Sequence, residues 1–181
     1  STILEALGKV GDQSTADLIA SVETYRPTDS LLLEGQMYSL FRFGLREIAP
    51  TSVVNLCIKY LNNSVYTSRT RLIAAHILGR IKNIDLRGNK ELTALLIKEQ
   101  DPFVKMALVL AAGKNDDTES KEALKQISFS SDDYRIRCNA VKALSNFINE
   151  TGIADTILLL ANSDNPHIAM SAADAALKIK N

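Results

Sequence analysis

The sequence predicts an all-α fold in which about five helical hairpins follow one another along the chain. Apolar residues recur at helical spacing over most of the 181 residues. One amphipathic segment also returns with a period of about 35 residues, which is typical of helical repeat proteins. No stretch has the strict alternation, or the β-branched and aromatic content between turn signals, that would predict a strand. We therefore expect a single repeat domain over residues 1–181, forming part of a longer protein.

The first helix of each hairpin is predicted from the repeated segment, whose clearest copies begin at Asp101, Asp133 and Asn165. Within the copy from Asp133 to Phe147, the apolar residues fall at i, i+4, i+5 and i+8, which is one face of a helix. Asp or Asn at the start, followed in two copies by proline, is typical of a helix N-terminus. We therefore expect Asp101 and Asp133 to be helix caps.

Small residues mark the period of the repeat. Gly8, Gly79, Gly113 and Ser145 occupy equivalent places, and the successive differences between their numbers are 71, 34 and 32. The first difference corresponds to two repeats of about 35 residues, once the segment around Leu40 is counted as a copy.

A second amphipathic segment between successive copies predicts the other helix of each hairpin. Gly11, Gly88 and Gly152 are predicted to lie in turns between helices. Ser14 and Asp17 have the spacing of a capping box at the start of one second helix. The five predicted second segments are Ser14 to Val22, Thr51 to Leu61, Asn89 to Glu99, Ser120 to Ile127 and Ile153 to Leu160.

These motifs resemble HEAT repeats of the short bacterial type, which also occur in phycobilin-lyase subunits. The resemblance rests on Asp-Pro-x-Val-Lys from Asp101 and on Asp-Tyr-Arg-Ile-Arg from Asp133, which Ala-Val-Lys-Ala-Leu follows. It implies a right-handed α-α superhelix, a HEAT-like solenoid. It covers nearly the whole chain, although Leu33 replaces the basic residue that is Arg71, Lys105 or Arg137 in other copies.

The segment from Gly35 to Ile48, with the earlier Glu-Ala-Leu-Gly-Lys-Val-Gly-Asp stretch, carries a second resemblance. It is similar to the helical-repeat region that precedes a cyclophilin-type prolyl isomerase domain in some bacterial proteins. This similarity implies contact with a catalytic domain of the same polypeptide.

Composition argues against several classes of function. Twenty-one Lys and Arg balance twenty-one Asp and Glu, so no net charge draws the chain to nucleic acid. No apolar run is long enough to span a membrane. Cys57 and Cys138 are far apart in sequence, as are His76 and His167, so we expect no metal site or cofactor. No phosphate loop, nucleophile motif or dinucleotide fingerprint is present, which argues against an enzyme.

Two sets of basic residues are candidates for binding. Arg71, Lys105 and Arg137 recur at one place in successive repeats, and the HEAT resemblance implies that they form ion pairs between repeats. Lys59, Lys98 and Lys125 lie on outward positions of the second helices, which usually line the concave surface of a solenoid. We therefore predict that these three lysines contact a partner, against the alternative that they are solvated among neighbouring glutamates.

The function that these observations favour is a non-catalytic scaffold that binds a partner protein or peptide on its concave face. Two alternatives stay open: a region tethered to a catalytic domain such as a prolyl isomerase, and a chromophore-lyase-like enzyme subunit. We expect a soluble bacterial protein, and the sequence does not decide between cytoplasm and periplasm.

Overall fold

The computed structural model describes residues 2–23 and 25–179. Over these residues the chain forms eleven α-helices and no strand, so the predicted all-α class is confirmed. The chain divides into two compact units, which comprise residues 1–85 and 86–181.

The first unit contains five helices. They are α1 (Thr2–Val10), α2 (Gln13–Ser21), α3 (Ser30–Leu45), α4 (Val53–Leu61) and α5 (Ser68–Arg80). The long helix α3 packs against α1, α2 and α5, and α4 packs against α5. Leu33, Met37, Leu40 and Phe43 of α3 are fully buried at i, i+4, i+7 and i+10, so α3 supplies the centre of this unit's core.

Gln36 on α3 forms a buried polar connection in this unit. Its side-chain amide donates to the main-chain oxygens of Ile19 and Val22 at 2.8 and 2.9 Å, and its oxygen accepts from the Tyr60 hydroxyl at 2.8 Å. The amide therefore joins the end of α2 to α3 and α4. Burial raises the pKa of the Tyr60 hydroxyl, which stays protonated as this donor role requires.

The second unit contains six helices. They are α6 (Lys90–Lys98), α7 (Pro102–Ala112), α8 (Thr118–Ser130), α9 (Tyr134–Leu144), α10 (Ile153–Leu160) and α11 (Pro166–Ala176). A single 3-10 turn, Ser145–Phe147, follows α9. Helix α9 packs against α7, α8 and α11, while α6 packs against α7 and α8.

The first helices of this unit repeat at a constant interval. Helices α7, α9 and α11 begin at Pro102, Tyr134 and Pro166, and each start is 32 residues after the previous one. The residue before each helix caps it, as predicted, since the side chains of Asp101, Asp133 and Asn165 accept from main-chain N–H groups of the first turn.

Neighbouring first helices are also joined by side chains. Asn139 on α9 donates to the Met106 carbonyl of α7 at 3.1 Å, and Asn146 donates to the Gly113 carbonyl at 2.9 Å. A Cβ built on Gly113 would lie 2.7 Å from the Cβ of Ala143, so a glycine is needed where these two helices approach. This close approach explains why a small residue recurs at the repeat position that the sequence marks with Gly113 and Ser145.

The predicted second segments correspond to α2, α4, α6, α8 and α10. Gly88 and Gly152 lie in turns with positive φ, at 70° and 79°. The Ser14 and Asp17 capping box is wrong. Asp12 is the N-cap of α2, and its carboxylate accepts from the Thr15 N–H at 2.9 Å, which lowers the pKa of Asp12 to about 2. Asp12 caps the helix because it directly precedes the first helical residue, whereas Ser14 already lies within the helix.

Candidate interaction groove

A groove runs between the second helices α6 and α8 of the second unit. One part is lined by Thr93 and Ile97 of α6 and by α8 from Glu119 to Phe129. The other part extends from Ile97 and Gln126 to the loops around Gln100 and Asp132. Ile97, Ala123 and Gln126 line both parts, so the groove is continuous, and we call it the α6–α8 groove.

Two large apolar side chains that line the α6–α8 groove are exposed. Ile97 is 63% exposed and Phe129 is 45% exposed. The buried face of α6 is made by Leu92, Leu95 and Leu96, so Ile97 falls outside the stripe that packs against the rest of the unit. Exposed apolar side chains that gather in a groove are typical of surfaces that bind another molecule.

Helix α10, the last of the second helices in this unit, also carries exposed apolar side chains. Leu158 and Leu159 of α10 are 48% and 63% exposed. Each second helix of the unit therefore carries an exposed apolar residue close to its C-terminal end, whereas the exposed acidic residues Glu91, Glu119 and Asp155 lie in the first turns.

The α6–α8 groove is also acidic. Its lining contains five carboxylates and two lysines, Lys105 and Lys125. Lys125 is neutralised by Glu122, whose Oε1 lies 2.8 Å from its Nζ. The carboxylates are Glu99, Glu119, Glu122, Asp132 and Asp133.

Two of these carboxylates accept hydrogen bonds from main-chain N–H groups. Glu99 accepts from the N–H groups of Gln100 and Asp101 at 2.9 and 2.8 Å, which fixes the turn before α7. Asp133 caps α9 and binds the Arg135 guanidinium, which lowers the pKa of this carboxyl. Glu119 and Asp132 are exposed, and no hydrogen bond or ion pair to either side chain occurs within residues 2–23 and 25–179.

The three lysines predicted to contact a partner have different surroundings. Lys59 lies in the first unit and its Nζ is 3.3 Å from Glu23. Lys125 lines the α6–α8 groove but is paired with Glu122, and its side chain is only 25% exposed. Lys98 is exposed at the end of α6, beside Ile97. Two of the three lysines thus have an acidic neighbour, and their contact with a partner stays a prediction.

Of the recurring basic residues, Arg137 forms a contact between helices. The Arg137 Nε donates to the Ser128 carbonyl at 2.9 Å. It therefore joins α9 to the end of α8 through the main chain, in place of the acidic side chain that the HEAT resemblance implies. Lys105 lies at the edge of the α6–α8 groove and is partly buried.

The two histidines do not suggest a metal centre. His76 on α5 is partly buried as expected, but its Nδ1 is buried without a hydrogen-bond partner, and burial together with Arg80 lowers its pKa to about 4. His167 is exposed at the start of α11 and stacks on the Tyr134 ring, with the ring centroids 4.9 Å apart. Within the part of the chain that the structure describes, no group of three or more His, Cys, Asp or Glu residues could hold a metal ion.

The α6–α8 groove could not be predicted from the sequence, because the sequence pattern does not distinguish Ile97 and Phe129 from the other apolar residues of amphipathic helices. The one available signal is their position outside the main apolar stripe of each helix. None of the described helices is long and apolar enough to cross a bilayer. No protein-family model matches the chain, and no curated protein sequence is significantly similar to it.

Proposed function

We propose that this protein is a non-catalytic helical-repeat scaffold that binds a partner protein or peptide across its second helices. The observation that carries the proposal is the exposure of Ile97 and Phe129 in one continuous groove. Covering the exposed part of these side chains with a partner would be favourable, because apolar surface is removed from water.

Under this proposal the hairpins are HEAT-like repeats of a right-handed solenoid, and the second helices line its concave face. The constant interval of 32 residues between the starts of α7, α9 and α11 supports a repeat of this kind. The hydrogen bonds from Asn139 and Asn146 to the preceding first helix also support it, because each repeat is then fixed to its neighbour.

The lysines have a secondary place in the proposal. Lys98 is free to meet a partner at the edge of the α6–α8 groove, whereas Lys59 and Lys125 would first have to leave Glu23 and Glu122. Exposed ion pairs of this kind are worth less than about 1 kcal/mol, so a partner could displace them at little cost.

An affinity capture from a lysate of the source organism tests the proposal. The bait is the whole chain, and it is compared with Phe129→Ser and with the triple variant Lys59→Glu, Lys98→Glu, Lys125→Glu. A defined protein that the wild type retains and Phe129→Ser loses, at unchanged helical circular dichroism, is the expected result. Met170→Ser is the matched control, since Met170 is 67% exposed on the first helix α11.

Retention by Phe129→Ser of every protein that the wild type retains would contradict binding across the second helices. If the triple variant loses the captured protein and Phe129→Ser retains it, the partner contacts the lysines and not the groove. A region tethered to a catalytic domain becomes the better account if no bait retains any protein.

A further inference from the structure

We infer that the α6–α8 groove binds an extended peptide segment that carries a large apolar side chain between two basic residues. This inference rests on the proposed function and names the chemical class of the partner. Three properties of the groove lead to it, namely its length, the order of apolar and acidic groups along it, and the free amide in its centre.

The length suits a short extended segment. Glu119 and Asp132 mark the two ends, and the eleven helical residues between them, followed by the non-helical Ser131, span about 20 Å. An extended chain advances about 3.3 Å per residue, so about six residues span this distance. The two parts of the groove have volumes of about 520 and 430 Å³, which leaves room for large side chains.

Charge and apolar groups alternate along this path. Glu119 stands at one end and Asp132 at the other, and Ile97 and Phe129 lie between them, with Phe129 ten residues after Glu119 and three before Asp132. Glu119 and Asp132 are the two lining carboxylates that take part in no hydrogen bond or ion pair among the described residues. They are therefore available to pair with Lys or Arg of a partner, and an acidic segment would be repelled by them.

The centre of the groove offers a polar contact suited to a main chain. Gln126 lies on the exposed face of α8 and lines both parts of the groove. A primary amide can accept from one main-chain N–H and donate to one main-chain carbonyl. An extended peptide exposes both groups at every residue, whereas a helical ligand has already used them internally.

Lys125 does not reverse this charge preference. Its ammonium is held by Glu122 at 2.8 Å, so the pair presents little net charge to a ligand. Lys105 lines the part that contains Asp132, but three carboxylates line that part as well, so both parts of the groove carry more carboxylates than lysines. A single apolar anchor flanked by basic residues matches this lining.

A positional-scanning library of acetylated and amidated hexapeptides tests the inference with the whole chain. We expect enrichment of Lys or Arg at the outer positions and of Leu, Phe or Tyr in the middle. The best hexapeptide is then measured by fluorescence polarisation, and Phe129→Ser should weaken its binding about tenfold or more. The control Met170→Ser should leave the affinity unchanged.

Charge reversal gives the sharpest test of orientation. In Glu119→Lys the basic preference at one outer position should change to an acidic preference, and in Asp132→Lys the same change should occur at the opposite outer position. Both side chains are exposed, and Asp133 rather than Asp132 caps α9, so both variants should fold.

Three outcomes would overturn the inference: enrichment of acidic residues, no enrichment at all, or basic enrichment that Phe129→Ser does not alter, which indicates charge attraction alone. If a host protein is still captured in a Phe129-dependent way under any of these outcomes, the scaffold function stands and only the peptide class is wrong. If that capture fails as well, the proposed function is itself contradicted.

Discussion

Replacing Asn115 by alanine should destabilise the second unit strongly. Asn115 is fully buried in the loop between α7 and α8. Its side-chain oxygen accepts from the Gly88 N–H at 3.0 Å, and its amide nitrogen donates to the Asn89 carbonyl at 2.9 Å and to the Asp117 carboxylate at 2.5 Å, with the Ser120 hydroxyl 3.1 Å away. One side chain thus fixes the turn before α6 against the start of α8.

The expected loss follows from the groups that alanine would leave without a partner. Ser120 keeps its hydrogen bond to Thr93, and the Asp117 carboxylate keeps the one from the Ser120 N–H, so their contributions to the loss are small. The Gly88 N–H and the Asn89 carbonyl each lose a part-buried hydrogen bond, at about 1 to 1.5 kcal/mol each. The free energy of unfolding should therefore fall by about 2 to 3 kcal/mol.

Urea unfolding followed by far-ultraviolet circular dichroism measures this loss. With a denaturant slope of about 1 to 1.5 kcal/mol per molar urea for a unit of this size, the midpoint should fall by roughly 2 M. Asn162→Ala is the matched control, because Asn162 is exposed and makes one hydrogen bond, to the Leu158 carbonyl. Its midpoint should stay within the range of surface substitutions, about 0.5 kcal/mol.

Asn115→Asp separates hydrogen bonding from packing. It keeps an acceptor for the Gly88 N–H but loses both donors, and it places a carboxylate beside Asp117. We expect it to be at least as unstable as Asn115→Ala. A loss below about 0.5 kcal/mol in Asn115→Ala, or an equal loss in Asn162→Ala, would refute the reasoning.

Three further substitutions test other parts of the structure. Gln36→Ala should lower the stability of the first unit by about 2 to 4 kcal/mol in urea unfolding, because two main-chain carbonyls and the Tyr60 hydroxyl lose a buried partner; an unchanged midpoint would contradict this. Gly113→Val should cost about 1 to 3 kcal/mol, since its Cβ would meet Ala143 at 2.7 Å, and a thermal midpoint equal to that of the wild type would show that the two helices do not approach so closely. The wild type should lose stability as pH falls from about 6.5 to about 4, because the pKa of His76 is lowered to about 4 in the folded state and the unfolded chain therefore binds the proton first. Over this pH range the loss in His76→Leu should be smaller than that of the wild type, by at most about 3 kcal/mol. Equal pH slopes of the two proteins in urea unfolding would contradict this.

The helices could be predicted because their signals are local. The caps at Asp101, Asp133 and Asn165 bind N–H groups two or three residues away, so residue type and spacing suffice to find them. The same local logic failed at Ser14, where two polar residues near the helix start compete and Asp12 lies directly before the first turn.

Contacts between distant residues could not be predicted. Asn115 binds groups 26 and 27 residues earlier in the chain, and nothing in its neighbours indicates this. Lys59 lies beside Glu23, which is 36 residues earlier and which helical periodicity does not indicate. The pair of Lys125 with Glu122 is local, at i and i+3, and the sequence already shows glutamates near the predicted lysines. The apolar centre of the α6–α8 groove depends on how α6 and α8 lie side by side, which is a tertiary property.

Hydrogen–deuterium exchange with the enriched hexapeptide tests most directly whether the second helices bind a partner. The account predicts slower exchange on peptide addition in residues 90–99 and 118–133, with the first helices α7, α9 and α11 unchanged. The protection should disappear in Phe129→Ser and persist in Met170→Ser. Protection confined to the first helices, or protection equal in both variants, would contradict binding in the α6–α8 groove.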